Sequence, residues 1–368
     1  MNECFEPRLA RVLAEMERQG IGCMLITPSP DLKYLSGCAV WPDERLMTLV
    51  LAPGHAPFMI ANRLYEQTLS QQPYRDVCYW ADRQDPFALL AEELQARKID
   101  TDVLAVDDAL AAGLLLPLLR RVPHGRVELA SRVTAGLRLY KDAQEILTMR
   151  TACAKASEAL RRTMEKGRYW IGHTETELAD ALCSEMVRQG LERGSASVSS
   201  GVNSAEPHHA STSQIIRDNS CLWIDFGAVY QNYNTDMTRA FFFGTPDEEY
   251  RRVYDVVDRA RKAGIAAAQA GAPLHAVDDA ARGVIEAAGY GACFTHRTGH
   301  GIGIMNHEGP AAEAGEQTLI APGMTFSVEP GIYIPGRFGI RVEDQVLIGE
   351  DGKPQALHDY PTDLTVFD

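Results

Sequence analysis

Apolar side chains recur along the chain with two different periods, one that suits helices and one that suits strands. Over residues 7–19, Leu9, Val12, Leu13 and Met16 share one helical face, and Gly20 follows as a stop. Cys23-Met24-Leu25-Ile26 is an apolar run of strand length. Residues 45–52 and 56–60 read as two strands joined across Pro53-Gly54-His55. Further strands are predicted at 76–80, 103–106 and 126–129, with helices between them. These elements describe a small α/β domain over residues 1–135, in which no residue looks catalytic.

The pattern changes between 131 and 140. A long helix is predicted over 142–166, with Ile146, Met149, Ala152 and Ala156 on its apolar face. A second helix begins at the capping box Thr174-x-x-Glu177, carries the stripe Leu178, Leu182 and Met186, and ends at Gly190. Two more helices are expected over 247–270 and 274–288, and strands at 196–201, 221–230, 235–243, 324–334 and 339–348. The second domain is thus expected over 136–368, with no low-complexity segment and no solenoid repeat. One short echo stands out. Ile224-Asp225-Phe226-Gly227 with Tyr230 resembles Val328-Glu329-Pro330-Gly331 with Tyr333, and each returns with a second acid, Asp236 or Glu343. The match is short and, alone, fits coincidence as well as it fits two hairpins of similar plan that face each other across one site.

Composition narrows the function classes. The chain has 368 residues, is 45% hydrophobic and carries a formal net charge of -14. That acidity argues against nucleic acid and anionic membranes as partners. The first residues show no secretory signal, and no apolar run is long enough to span a bilayer. The eight cysteines are scattered without a CxxC pair, which fits reduced thiols in a cytoplasm.

The chemistry sits in a few acids with unusual surroundings. Leu222-Trp223-Ile224-Asp225-Phe226-Gly227 is an apolar strand with an acid inside it. A buried carboxylate costs several kcal/mol unless it is paired or binds a metal. Taken alone, Asp225 also fits a turn cap, and Asp236 a salt bridge to Arg239. Glu329 ends another apolar strand. In the alternating run 340–348, Arg341 and Glu343 share one face while Asp344 takes the other. His296-Arg297-Thr298-Gly299-His300-Gly301-Ile302-Gly303 lets the backbone turn tightly around one imidazole. It lacks the lysine and following helix of a phosphate loop. His307-Glu308 runs into Gly309-Pro310, so it is not a zinc-binding helix. Pro207-His208-His209 lies in a polar loop, and a lone pair of loop histidines is more often surface than site. Four carboxylates in one apolar core would repel strongly. Two divalent cations would offset them, and an oxygen-rich, sulfur-free donor set favours manganese, cobalt or zinc. Two such ions sharing a water serve hydrolysis.

Together these segments resemble the pita-bread-fold metallopeptidases: Xaa-Pro aminopeptidase, prolidase, methionine aminopeptidase and the related creatinase. The matching stretches are SGVNSAEPHH (200–209), WIDFGAVYQNYNTDMTRAF (223–241), HRTGHGIG (296–303), HEGP (307–310), FSVEPGIY (326–333) and GIRVED (339–344). The likeness covers residues 140–368, and the N-terminal α/β region resembles the creatinase/prolidase N-terminal domain. The fold implied is therefore an α/β N-terminal domain followed by an α+β pita-bread catalytic domain. Carried over residue by residue, the metal ligands fall on Asp225, Asp236, His300, Glu329 and Glu343. The substrate-side histidines fall on His208 and His307, and Arg341 matches an arginine of the proline-specific branch.

The resemblance implies two divalent ions, manganese or cobalt before zinc, and attack on the first peptide carbonyl by a hydroxide bridging them. His307 would stabilise the oxyanion, Glu329 would shuttle the proton and His208 would hold the substrate. Short peptides with proline in second position are the expected substrates, longer ones ahead of dipeptides, and a cytoplasmic homodimer is the expected form. The complete ligand set argues against a creatinase-like reading, and the N-terminal domain against methionine aminopeptidase. A metal-dependent hydrolase of a non-peptide amide or small metabolite is the alternative, and a binding protein that lost catalysis is the third reading.

Overall fold

The computed structural model describes residues 5–71, 76–192 and 194–368. The chain divides into two compact units, Met1–Arg138 and Leu139–Asp368. No helix among the described residues is long and apolar enough to cross a membrane.

The first unit is built on one sheet. Its strands are β1 (Cys23–Ile26), β2 (Thr48–Leu51), β3 (Phe58–Asn62), β4 (Val77–Trp80), β5 (Val103–Val106) and β6 (Arg126–Leu129). Among the described residues their order is β4-β3-β2-β1-β5-β6. β2 runs antiparallel to both its neighbours, while the outer pairs are parallel. Leu90, Leu94 and Leu118, from helices Pro86–Ala96 and Ala112–Arg121, pack with Leu25, Val50, Phe58 and Leu104 of the sheet. The first helix, Phe5–Gln19, starts before the predicted position because Pro7 is tolerated within a first turn. Periodicity gave no helix at Pro30–Ser36, which is too short to show one. Its signals are local: Ser29 caps it, Pro30 opens it, and Gly37 closes it at φ 70°.

The second unit carries two layers of hairpins. Strands β7 (Ser195–Ser200), β8 (Ser220–Tyr230) and β9 (Tyr233–Phe243) form an antiparallel meander. Helices Ala143–Met164 and Glu175–Arg188 cover one face, burying Ala152, Leu160, Leu178 and Leu182 against Ile224, Phe226 and Phe241. Both start from capping boxes, at Asp142/Glu145 and at Thr174/Glu177. Helices Glu248–Ala267 and His275–Ala287 pack with Trp223 and Phe242 in a separate cluster. The second sheet has the order β11-β10-β12-β15-β16 among the described residues. Here β10 is Gly299–Gly301, β11 Glu308–Ala312, β12 Thr325–Val328, β15 Asp344–Ile348 and β16 Pro354–Ala356. A separate ribbon pairs β13 (Gly331–Ile334) with β14 (Phe338–Arg341), and β17 (Thr365–Phe367) runs parallel to β9.

The strands predicted over 324–334 and 339–348 are each broken in two. Val328 still pairs with Asp344 and Gly331 with Arg341, so the hairpin continues on either side of a gap. The gap contains Glu329-Pro330 on one arm and Val342-Glu343 on the other. Pro330 has no N–H to give to a ladder. The freed amides bond elsewhere: Glu329 N–H to the Thr298 carbonyl at 2.8 Å, and Glu343 N–H to the Thr238 carbonyl at 3.1 Å. The break thus binds this hairpin to the His300 segment and to β9.

Arg239 does not pair with Asp236. It is buried on the other face of β9 and donates to Asp344 at 2.7 Å and to the carbonyls of Glu343 and Tyr360. Asp344 also takes a bond from Arg261. This acid pairs with two buried guanidinium groups directly beside Glu343, and Asp258 supplies a second charge to Arg261. Asp344→Ala should therefore cost about 3–5 kcal/mol, the range for breaking a buried ion pair. Urea unfolding followed by tryptophan fluorescence measures it.

Candidate metal centre

Five side chains from three segments converge on one cavity. Asp225 stands in mid-β8, opposite Thr238 in the register, so it does not cap a turn. Asp236 follows on β9, opposite Gly227. His300 is the middle residue of β10, and Glu329 and Glu343 occupy the two arms of the broken hairpin. Ligand atoms of Asp225, Asp236 and Glu343 lie within 4.8 Å of one another, as do those of His300, Glu329 and Glu343. Asp236, His300 and His307 form a third such group. The cavity, about 1010 Å³, is also lined by His208, Arg297 and Arg341.

The glycines around His300 serve close approach more than turning. A Cβ on Gly299 would stand 1.9 Å from the Ser327 carbonyl oxygen, and one on Gly301 2.7 Å from that of Glu308. Only glycine lets β10 run so near its neighbours. His300 Nδ1 lies 3.1 Å from the Gly301 carbonyl. A carbonyl can only accept, so Nδ1 carries the proton and Nε2 is turned toward Glu329 at 3.2 Å and Asp236 at 3.7 Å.

Each acid has a protein donor that fixes one oxygen. Arg341 donates to Asp225 at 2.5 Å, Asn306 to Asp236 at 3.0 Å, Ser327 to Glu329 at 3.0 Å, and Thr238 to Glu343 at 2.8 Å. These donors leave the acids under mutual repulsion. Burial, with the Asp225 charge next, pushes Asp236 up to about 8. Burial and the neighbouring Asp236, Glu329 and Asp225 charges raise Glu343 well above the carboxylate range. Burial also works against the Glu329 anion, but the His300 hydrogen bond and charge outweigh it and hold Glu329 at about 2. His300 is raised in turn, chiefly by Glu329 against the opposing effect of burial.

The donor set fits divalent cations. Glu343 Oε1 is buried and has no hydrogen-bond partner among the described residues. It points into a cluster of four carboxylates and one imidazole, an oxygen-rich set suited to hard or borderline dications.

The other sequence-selected residues are sorted by their contacts. His307 is exposed and stacks on His300, with ring centres 3.7 Å apart. Burial and the His300 charge lower its pKa, which favours the neutral ring. His208 is exposed on the cavity wall, whereas His209 is buried and bonds Glu175 at 2.9 Å. Arg341 is buried and fully engaged. Besides Asp225 it donates to Tyr333 Oη at 2.8 Å and the Pro207 carbonyl at 3.0 Å, and it stacks on Trp223. Tyr333 Oη in turn lies 3.0 Å from His296 Nε2, while His296 Nδ1 donates to the Arg297 carbonyl.

Sequence reasoning assigned no role to Arg297, Glu175, Thr238 or Asn306. Thr238 shares the face of Asp236 at strand spacing, a signal that could have found it. Arg297 lies inside the His300 motif but is hard to rank among the chain's other arginines. Its guanidinium makes no hydrogen bond or ion pair among the described residues, although it lines the cavity.

Comparison with known proteins gives the same picture. Residues 148–350 match the model of metallopeptidase family M24, and residues 8–139 match the creatinase/prolidase N-terminal domain. A probable dipeptidase PepE of Mycobacterium tuberculosis is 36% identical, over 99% of this chain and 97% of its own length. A Xaa-Pro dipeptidase of Lactobacillus helveticus is 33% identical, over 89% of this chain and 90% of its own. The crystal structure of a prolidase from Thermococcus sibiricus superposes with a TM-score of 0.92 at 31% identity, covering 98% of this chain and 99% of that one. The chain belongs to metallopeptidase family M24: it is a peptidase with a creatinase-type N-terminal domain, a pita-bread catalytic domain and side chains suited to divalent metal.

Proposed function

We propose that this chain releases the first residue from Xaa-Pro peptides, dipeptides foremost, at two divalent ions held by Asp225, Asp236, His300, Glu329 and Glu343. The observation that carries this reading is the convergence of those five groups on one cavity, with a buried Glu343 oxygen that has no partner among the described residues. When bound, the ions supply an activated water and polarise the scissile carbonyl. The oxygen-rich donors favour manganese or cobalt, with zinc also compatible. The cysteines among the described residues form no disulfide, which supports a reducing cytoplasm.

The chain's own residues do the rest. Glu329, kept ionised by His300, accepts a proton from the attacking water and returns it to the leaving nitrogen. A neutral His307 donates to the oxygen on which charge develops. His208 holds the substrate next to the scissile bond from the cavity wall. Arg341 orients Asp225 rather than touching substrate, because its donors are already engaged. Proline in second position offers no scissile N–H, and this mechanism asks for none.

The sequence leaned to longer peptides because no partner for a dipeptide's free carboxylate was evident. Arg297 supplies one, as an unengaged cation on the cavity wall. The name Xaa-Pro dipeptidase on the Lactobacillus relative supports the same shift.

His307→Ala should lower kcat by roughly 10²–10³, the usual loss for an oxyanion donor, with metal content unchanged. Lost metal would instead make His307 a ligand. Ala-Pro should be cleaved in preference to its C-terminal amide, and N-acetyl-Ala-Pro not at all. Arg297→Met should erase the preference by raising the KM for Ala-Pro about ten-fold or more, as the loss of a hydrogen bond to a charged group implies. Equal cleavage of acetylated and free peptides would contradict the exopeptidase reading.

A further inference from the structure

Glu175 is the first residue of helix Glu175–Arg188, and its carboxylate is completely buried. The helix itself makes no use of it. Thr174 and Glu177 form the reciprocal capping box, with Glu177 N–H donating to Thr174 and Thr174 N–H to Glu177. Every side-chain bond of Glu175 goes to one segment of the chain, 200–212. Oε1 accepts from Ser200 N–H at 2.7 Å, Ser200 Oγ at 2.9 Å and Asn203 Nδ2 at 3.1 Å. Oε2 accepts from His209 Nε2 at 2.9 Å, Thr212 N–H at 3.1 Å and Thr212 Oγ1 at 2.8 Å. Burial opposes the anion, but these bonds, led by His209, outweigh it and hold the acid below its ordinary value.

That segment is the cavity wall. Pro207, His208, His209, Ala210 and Ser211 all line the site. His208 makes no hydrogen bond of its own among the described residues, so its ring can be aimed only through its neighbours. On one side, the Pro207 carbonyl is held by Arg341 at 3.0 Å. On the other, the His209 ring is held by Glu175 and the His209 carbonyl by Ser197 Oγ. An ionised carboxylate buried in such a nest of donors is far stronger and more directional than a neutral acceptor.

We propose that Glu175 is a positioning residue, which sets the 200–212 segment through His209 and thereby aims His208 at the substrate. This inference rests on the role given to His208 above. Misplacing a substrate-holding group by ~1 Å can cost as much as ~10²-fold in rate.

A double-mutant cycle tests the proposal on the metal-loaded enzyme with Ala-Pro as substrate. Glu175→Gln keeps the shape but turns an amide N–H₂ toward donors, and it should lower kcat/KM by about ten-fold or more at unchanged metal content. In a His208→Ala background the same substitution should add less than about two-fold, since coupled residues are not additive. Because Glu175→Gln removes several bonds at once, Thr212→Val repeats the cycle with a smaller change, and Thr212→Ser, which restores the hydroxyl, should recover activity. Multiplying losses, or wild-type activity in Glu175→Gln, would overturn the proposal and leave the peptidase reading intact. A His208→Ala variant with wild-type kcat/KM would instead remove the role of His208 and, with it, the proposal.

Discussion

Like charges cannot share a dry cavity without something between them. Asp225, Asp236, Glu329 and Glu343 crowd four carboxylates into one cluster, with His300 and His307 beside them and Arg341 on Asp225. Among the described residues, protein donors reach one oxygen of each acid and no more. The remainder of the repulsion is visible in Asp236 and Glu343, whose carboxyls are driven upward by burial and by each other. The proposed pair of dications would resolve the conflict that the side chains create, and the surrounding architecture makes sense as the device that holds the conflict in place.

That device is a pair of hairpins tied together at their acids. The β8–β9 hairpin presents Asp225 and Asp236, and the broken hairpin presents Glu329 and Glu343 at its break. Pro330 interrupts the ladder where the acids must turn inward, and the amides released there bond to the His300 segment and to β9. Behind Glu343, Arg239 and Arg261 share Asp344, Asp258 pairs with Arg261 as the second acid, and the network anchors β9 against β15. Acid on one face is left to metal, and acid on the other is matched by arginine. The alternation of Glu343 and Asp344 along the chain delivers the two to opposite sides.

Much of this was legible in the sequence, because an acid inside an apolar strand is costly enough to demand a reason. Asp225, Glu329 and Glu343 were found that way, and the capping box Thr174-x-x-Glu177 marked one helix start. Other features were hidden because their meaning lies in partners remote in the chain. Arg341 reads only as a polar neighbour of Glu343 until Tyr333, Pro207 and Asp225 are seen to engage it. Glu175 is masked by the capping box on either side of it, and its partners lie 25 to 37 residues away. His208 and His209 are adjacent and chemically identical, yet one is exposed on the cavity wall and the other is buried on Glu175. The break at Pro330 had a local signal, but periodicity over the whole apolar run concealed it.

The central claim is that this carboxylate cluster is built around two divalent ions, and counting them tests it most directly. Titrating the metal-stripped chain with Mn²⁺ in a calorimeter gives the stoichiometry without reference to any substrate. The account predicts two ions per chain. Saturation at one ion, or no binding at all, would contradict it.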